Sequence, residues 1–169
     1  MNAPAVTTLG AAFTAVARAH PHRTALVQGD LRIGYGELAA RAAAAAGRLA
    51  DIEPLLAPDF EWVYHGPAAL PWAGVYRGVE GFRNFFAIVR ELIQVQECDA
   101  YDYLDAGDRV VVLGVSRTRV LANDAHYEAQ WMNVFTVRDG LISRYLDLYD
   151  TASVVDALRR DRREVTAAS

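Results

Sequence analysis

The sequence predicts an α+β fold in which a curved antiparallel sheet wraps around helices and encloses a pocket. Two observations carry that expectation. VEGFRNFFAIVRELI sets Val79, Phe82, Phe85, Phe86, Val89 and Leu92 along one helical face. After it come four long segments, Gln94 to Asp105, Arg109 to Leu121, Ala125 to Val137 and Leu141 to Tyr149, rich in Val, Tyr, Trp and Leu and separated by Ala-Gly-Asp, Ala-Asn-Asp and Arg-Asp-Gly. Such a series is an antiparallel meander.

The remaining elements follow in chain order. Leu9, Phe13, Val16 and Ala17 give Thr8 to Ala19 helical spacing, and His20-Pro21 stops the run. TALVQGDLRIGY reads as two brief strands, Ala25 to Val27 and Leu31 to Tyr35, around a Gly-Asp turn. ELAARAAAAAGRLA is helical because alanine is the best intrinsic helix former. After Pro54, DFEWVY is strand-like, and Asp150-Thr151 caps a last helix, TASVVDALRR.

With 169 residues the chain suits one domain with a sizeable core and a short appendage. Its 53% hydrophobic and 22% charged residues, with a formal net charge of -4, give no attraction for nucleic acid or an anionic membrane. No run approaches the roughly 18 apolar residues of a membrane span, and no basic segment precedes a compact apolar core at the start. A cytoplasmic location is expected. The single Cys98 fits it, and excludes an internal disulfide and a cysteine-based metal cluster.

From about Gly47 to Leu158 the chain resembles the NTF2-like superfamily, and more narrowly the SnoaL-like group that includes polyketide cyclases. Steroid isomerases and limonene-epoxide hydrolases are distant relatives. The resemblance rests on LLAPDFEWVYHGP, on YRGVEGF at the opening of the long helix, on AGDRVVVLG, and on WMNVFTVRDGLI followed by YLDLYDTASV. It implies a cone-shaped pocket and a homodimer packed through the outer sheet face. The start, AAFTAVARAHPHRTALVQGDLRIGYGELAARAAAAAGRLA, resembles the opening of acyl- or aminoacyl-adenylating enzymes, a resemblance that ends near Ala50. The later parts of such enzymes are missing, the phosphate loop included, so ATP-dependent activation is not expected. The chain thus divides into an adenylation-like arm at 1–46, a SnoaL-like domain at 47–158 and a charged tail at 159–169. The helix from Glu37 to Leu49 either stands in for the first helix of the cone or belongs to a loosely attached arm.

Alternation along Glu61-Trp62-Val63-Tyr64-His65 sets Val63 and His65 on one face, Trp62 and Tyr64 on the other. The resemblance places His65 inward, because pocket polar groups in the relatives emerge at the end of this strand. A histidine there suits proton transfer near neutral pH; otherwise it is a structural residue bonded to loop backbone. On the last strand Tyr145, Asp147 and Tyr149 share a face. Asp-Leu-Tyr-Asp resembles the Asp-Tyr-Phe-Asp ending of the epoxide hydrolases, whose first Asp is catalytic, and Asp147 takes that position. Beside aromatic groups a carboxylate is desolvated and its pKa rises, unless Arg144, Arg117 or Arg119 pairs with it. The hydrolases' Arg and second Asp fall by ungapped spacing on Gly114 and Ser116, which disfavours hydrolysis by that set.

Tyr127, Ala129, Trp131, Asn133 and Phe135 share a face expected to line the pocket, Trp131 giving flat area and Asn133 a donor and acceptor for a carbonyl. The alternative is a core or interface position. Trp72 and Tyr76 form a lid or tuck over the core. Neither metal-ligand spacing nor a dinucleotide fingerprint is found, so no metal and no cofactor are expected.

Two functional readings follow. In the first, a cofactor-independent enzyme cyclises, isomerises or dehydrates an apolar carbonyl compound of polyketide or terpenoid type, with His65 and Asp147 catalytic and Val63, Trp72, Tyr76, Trp131, Asn133 and Tyr149 binding substrate. In the second, the domain is a non-catalytic small-molecule-binding or scaffold module of a biosynthetic assembly line. His65 and Asp147 discriminate: both in one pocket favours catalysis, while either at solvent or in an ion pair favours binding.

Overall fold

The computed structural model describes residues 24–28, 31–34, 52–106, 108–139 and 141–160. Strands β1 (Thr24–Gln28) and β2 (Leu31–Gly34) pair as an antiparallel hairpin, where the Gly-Asp turn predicts one. The helices expected over Thr8 to Ala19 and Glu37 to Leu49, and the tail after residue 160, lie outside the described residues.

A 3-10 turn, Glu53–Leu55, leads into β3 (Leu56–His65), followed by β4 (Gly74–Arg77) and helix α1 (Gly78–Leu92). The meander then runs through β5 (Ile93–Asp105), β6 (Arg109–Val120), β7 (His126–Arg138) and β8 (Leu141–Tyr149), and α2 (Thr151–Arg159) closes the described chain. Each meander strand agrees with its predicted segment to within one residue at either end. Asp150 caps α2 as expected, its carboxylate accepting from the backbone N–H groups of Ala152 and Ser153.

The six strands form one sheet in the order β4-β3-β8-β7-β6-β5. Two features differ from the sequence reading. The sheet is mixed rather than wholly antiparallel, because β3 pairs parallel with β8. A helix and the whole meander separate these strands, so no tight turn dictates antiparallel pairing. Second, part of the segment read as a loop or lid is strand: Gly74 to Arg77 pair with Tyr64 to Glu61. Its four residues are too few to show a period in the sequence.

Pleating decides which side chains meet α1. On β6, Val110, Val112, Ser116, Thr118 and Val120 are buried, whereas Val111, Leu113 and Val115 on the other face are half-buried. Phe60, Trp62 and Tyr64 of β3 and Tyr145 of β8 continue the inner face. Against it α1 lays Phe82 and Phe85, both buried. Gly78, at φ +63, takes the left-handed conformation that turns the chain from β4 into α1.

Gly114 is required by a close approach. A Cβ there would run into the six-membered ring of Trp131, whose indole lies over β6. Gly114→Ala should therefore force the ring off its site and cost about 1–3 kcal/mol. The urea midpoint checks this; an unchanged midpoint would show that the ring moves aside freely.

Candidate functional site

Between the inner sheet face and α1 lies a cavity of about 390 Å³, within the usual range for small-molecule sites. Its aromatic wall is Tyr64, Trp72, Phe85, Phe86, Tyr127 and Tyr149. Tyr64 stacks on Tyr149 at 5.8 Å between centroids and meets Trp72 edge-on at 6.2 Å. The Tyr76 hydroxyl donates to the Trp72 carbonyl oxygen at 3.0 Å and so fixes the loop carrying Trp72. Polar groups are few: Thr118, Gln94, Arg90 and Asp147.

Among the described residues Asp147 is the one carboxyl lining this cavity, and it is 3% exposed. The pleat of β8 puts it there, with Tyr145 on the same face and Leu146 and Leu148 on the other. Burial pushes its pKa well above the usual carboxylate range, and the nearby Trp62 indole N–H offsets part of the rise. The surrounding acids are also raised by burial: Tyr127 and Cys98 to about 12 each, Tyr64, Tyr145 and Tyr149 upward as well. No arginine pairs with Asp147 among the described residues. Arg117 instead bonds Glu97 at 2.8 Å and Glu128 at 3.0 Å on the outer face, and Arg119 pairs with Asp124.

Asn133 sits directly across from Asp147 on β7 and is fully buried. With its amide nitrogen toward Asp147, that nitrogen is 2.8 Å from Oδ1, and the amide oxygen accepts from the Tyr145 hydroxyl at 2.6 Å.

The structure brings together Asp147, Tyr149 and Trp72 of the predicted site residues and separates the rest. His65 is exposed at the end of β3, on the face away from the cavity, and Val63 shares that face. The inward placement of both is thereby corrected. Of the two faces of β3, the one bearing Phe60, Trp62 and Tyr64 has far more apolar area to bury, and it takes the core. Tyr76 packs its ring on Phe85 at 5.3 Å, behind the cavity wall. Trp131 lies over Gly114 and Asn133 lies behind Asp147, so neither lines the cavity. Sequence reasoning does not assign Tyr64, Phe85, Phe86, Thr118 or Arg90 to the site, whereas Tyr127, on the β7 face expected to line the pocket, does line it. For Tyr64 the signal is present in the bulk of its own strand face.

An α+β cone whose aromatic cavity holds one buried carboxyl suits ring compounds and proton transfer. The chain belongs to the SnoaL-like domain family, whose pattern it matches over residues 38–145. No protein of curated function matches it. Among solved structures it is similar to an NTF2-like protein of Burkholderia thailandensis E264, at 27% identity over 72% of this chain and 94% of that one, TM-score 0.63. An NTF2-like protein of Burkholderia xenovorans LB400 is similar at 25% identity over 69% and 88%, TM-score 0.62. So is TerC, co-crystallised with polyporic acid, at 25% identity over 66% and 86%, TM-score 0.57.

A carboxyl with a raised folded-state pKa contributes stability below its ordinary value and loses it as pH rises through the raised value. Asp147→Asn removes this loss. The stability difference, variant minus wild type, should grow as pH rises above about 4, by at most about 1.4 kcal/mol per unit. Urea titrations across pH check this; a flat difference would mean that Asp147 ionises as freely as a surface acid.

Proposed function

We propose that the chain is an acid/base enzyme that acts without a cofactor on an apolar carbonyl compound, by cyclisation, isomerisation or dehydration. The observation that supports it best is the burial of Asp147 as the one carboxyl on an aromatic cavity among the described residues. A carboxyl whose proton is held by burial can give it to a carbonyl oxygen and then take one from the adjacent carbon, leaving an enol and the acid restored. His65 has no part in this, since it lies outside the cavity.

The exposure of His65 favours the second reading, a cavity that binds without turnover. Solvent deuterium exchange separates the two. Cyclic and β-dicarbonyl ketones, with polyporic acid in the panel because TerC was crystallised with it, are first tested for binding and then for exchange. Asp147→Asn should lower exchange at least 100-fold, on the order of one lost acid/base group, while His65→Gln leaves it unchanged. Binding without exchange would leave the domain a binding module.

A homodimer belongs to the same proposal. The outer sheet face carries Val111, Leu113, Val115, Met132, Leu146 and Leu148, all partly exposed, and an apolar face of this kind can meet its own copy about a two-fold axis. Met132→Glu should shift sedimentation toward monomer; wild-type monomer at all concentrations would remove the dimer.

A further inference from the structure

We propose that Asn133 and Tyr145 are positioning residues for Asp147, holding its Oδ1 in a fixed hydrogen bond so that the exchangeable proton sits on Oδ2, toward the cavity. The inference rests on Asp147 as the acid of the proposed reaction. Asn133 is fully buried and does not line the cavity, so its amide must find all its partners within the protein.

One orientation of the amide satisfies every group near it. Its nitrogen then gives one hydrogen to Asp147 Oδ1 at 2.8 Å and turns the other to the Met132 carbonyl at 3.3 Å, and its oxygen takes the Tyr145 hydroxyl proton at 2.6 Å. In the reverse orientation the amide oxygen faces the Met132 carbonyl, acceptor against acceptor. A proton on Oδ1 could then bond the amide oxygen. The amide nitrogen, however, would face the Tyr145 oxygen, and the phenolic proton would lose the acceptor that the first orientation gives it. The first arrangement therefore stands in both protonation states of Asp147. A standing donor on Oδ1 makes it the less basic oxygen, and the proton goes to Oδ2.

The register explains why this arrangement is rigid. Asn133 and Asp147 are cross-strand partners, and Tyr145 lies two residues before Asp147 on the same face. The Tyr145 ring is itself wedged against Trp62 at 4.2 Å and Phe135 at 4.7 Å. Other ionisable groups facing Asp147 are Tyr64 from β3, Cys98 from β5, Tyr127 from β7 and Tyr149 on its own strand, with Arg90 of α1 on the same cavity. All four acids are raised by burial, as Asp147 itself is.

The test is a ¹³C NMR titration of the Asp147 carboxyl in the full chain labelled at aspartate, with Asp147→Asn assigning the signal. Asn133→Leu removes the donor that favours the carboxylate, and should raise the apparent pKa of Asp147 by about one unit. Tyr145→Phe keeps the ring, frees the amide and should move the pKa the same way by less; it decides the matter if Asn133→Leu does not fold. An unmoved titration in a folded variant would overturn the proposal and make both residues packing groups. Because the titration uses no substrate, it answers even if the cavity turns nothing over. Exchange lost in Asp147→Asn beside an unmoved pKa in the Asn133 and Tyr145 variants would leave the acid and remove its positioners.

Discussion

The cone depends on the seating of Trp62. Its ring lies 4.4 Å from Phe85 and 5.1 Å from Phe86 of α1, and 4.2 Å from Tyr145 of β8. It thus ties the helix to both strands at the one junction that no short turn constrains. Because β3 meets β8 in parallel, only side chains can set their register, and Trp62 opposite Tyr145 does so. A slip by one residue would send Val63 and His65 inward and expel three aromatic rings. The same ring turns its N–H toward Asp147, so the contact that fixes the fold also conditions the acid.

Much of this is legible in the sequence, for identifiable reasons. The meander strands alternate over nine to thirteen residues and are bounded by turn residues, so period and boundary agree. The face of α1 carries aromatic and long aliphatic residues at helical spacing. Asp147 stands out because Tyr145 and Tyr149 flank it at a spacing of two. The face of β3 is where sequence and structure part. The family resemblance places His65 inward at the end of its strand, but the bulk of Phe60, Trp62 and Tyr64 outweighs it, since burying three aromatic side chains stabilises the fold far more than burying one imidazole. The parallel pairing and the short β4 are not legible, since neither leaves a local signature. Alternation places Asn133 on an inner face, but alternation alone does not show that a carboxyl lies opposite it.

The inner face of β6 also explains why hydrolysis of the epoxide type is absent from the proposal. The positions that would need an arginine and a second aspartate hold Gly114 and Ser116. Gly114 has no side chain because Trp131 occupies the space, and Ser116 is buried with its hydroxyl unpartnered. Room that a water-orienting pair would require is filled by an indole. The polar part of the inner face that the proposed reaction would use is thereby the part around Asp147.

That confinement has an energetic side. A buried ionised carboxylate with no cationic partner is among the least favourable groups a core can hold, and the usual escape is to keep the proton. Burial pushes the pKa of Asp147 in that direction, with Asn133 supplying one donor and no arginine among the described residues paired with it to stabilise full charge. The arrangement leaves the site poised rather than satisfied. A ligand oxygen that accepts from Asp147 provides a partner that the cavity wall does not, and the aromatic rings exclude the water that would compete for it. The same burial that makes Asp147 a cost to the folded chain at high pH would, in the proposed reaction, make it a donor to the carbonyl of the substrate. In the proposed reaction stability and chemistry would draw on one group in opposite directions, since the burial that costs the fold at high pH is what would keep the acid's proton for transfer.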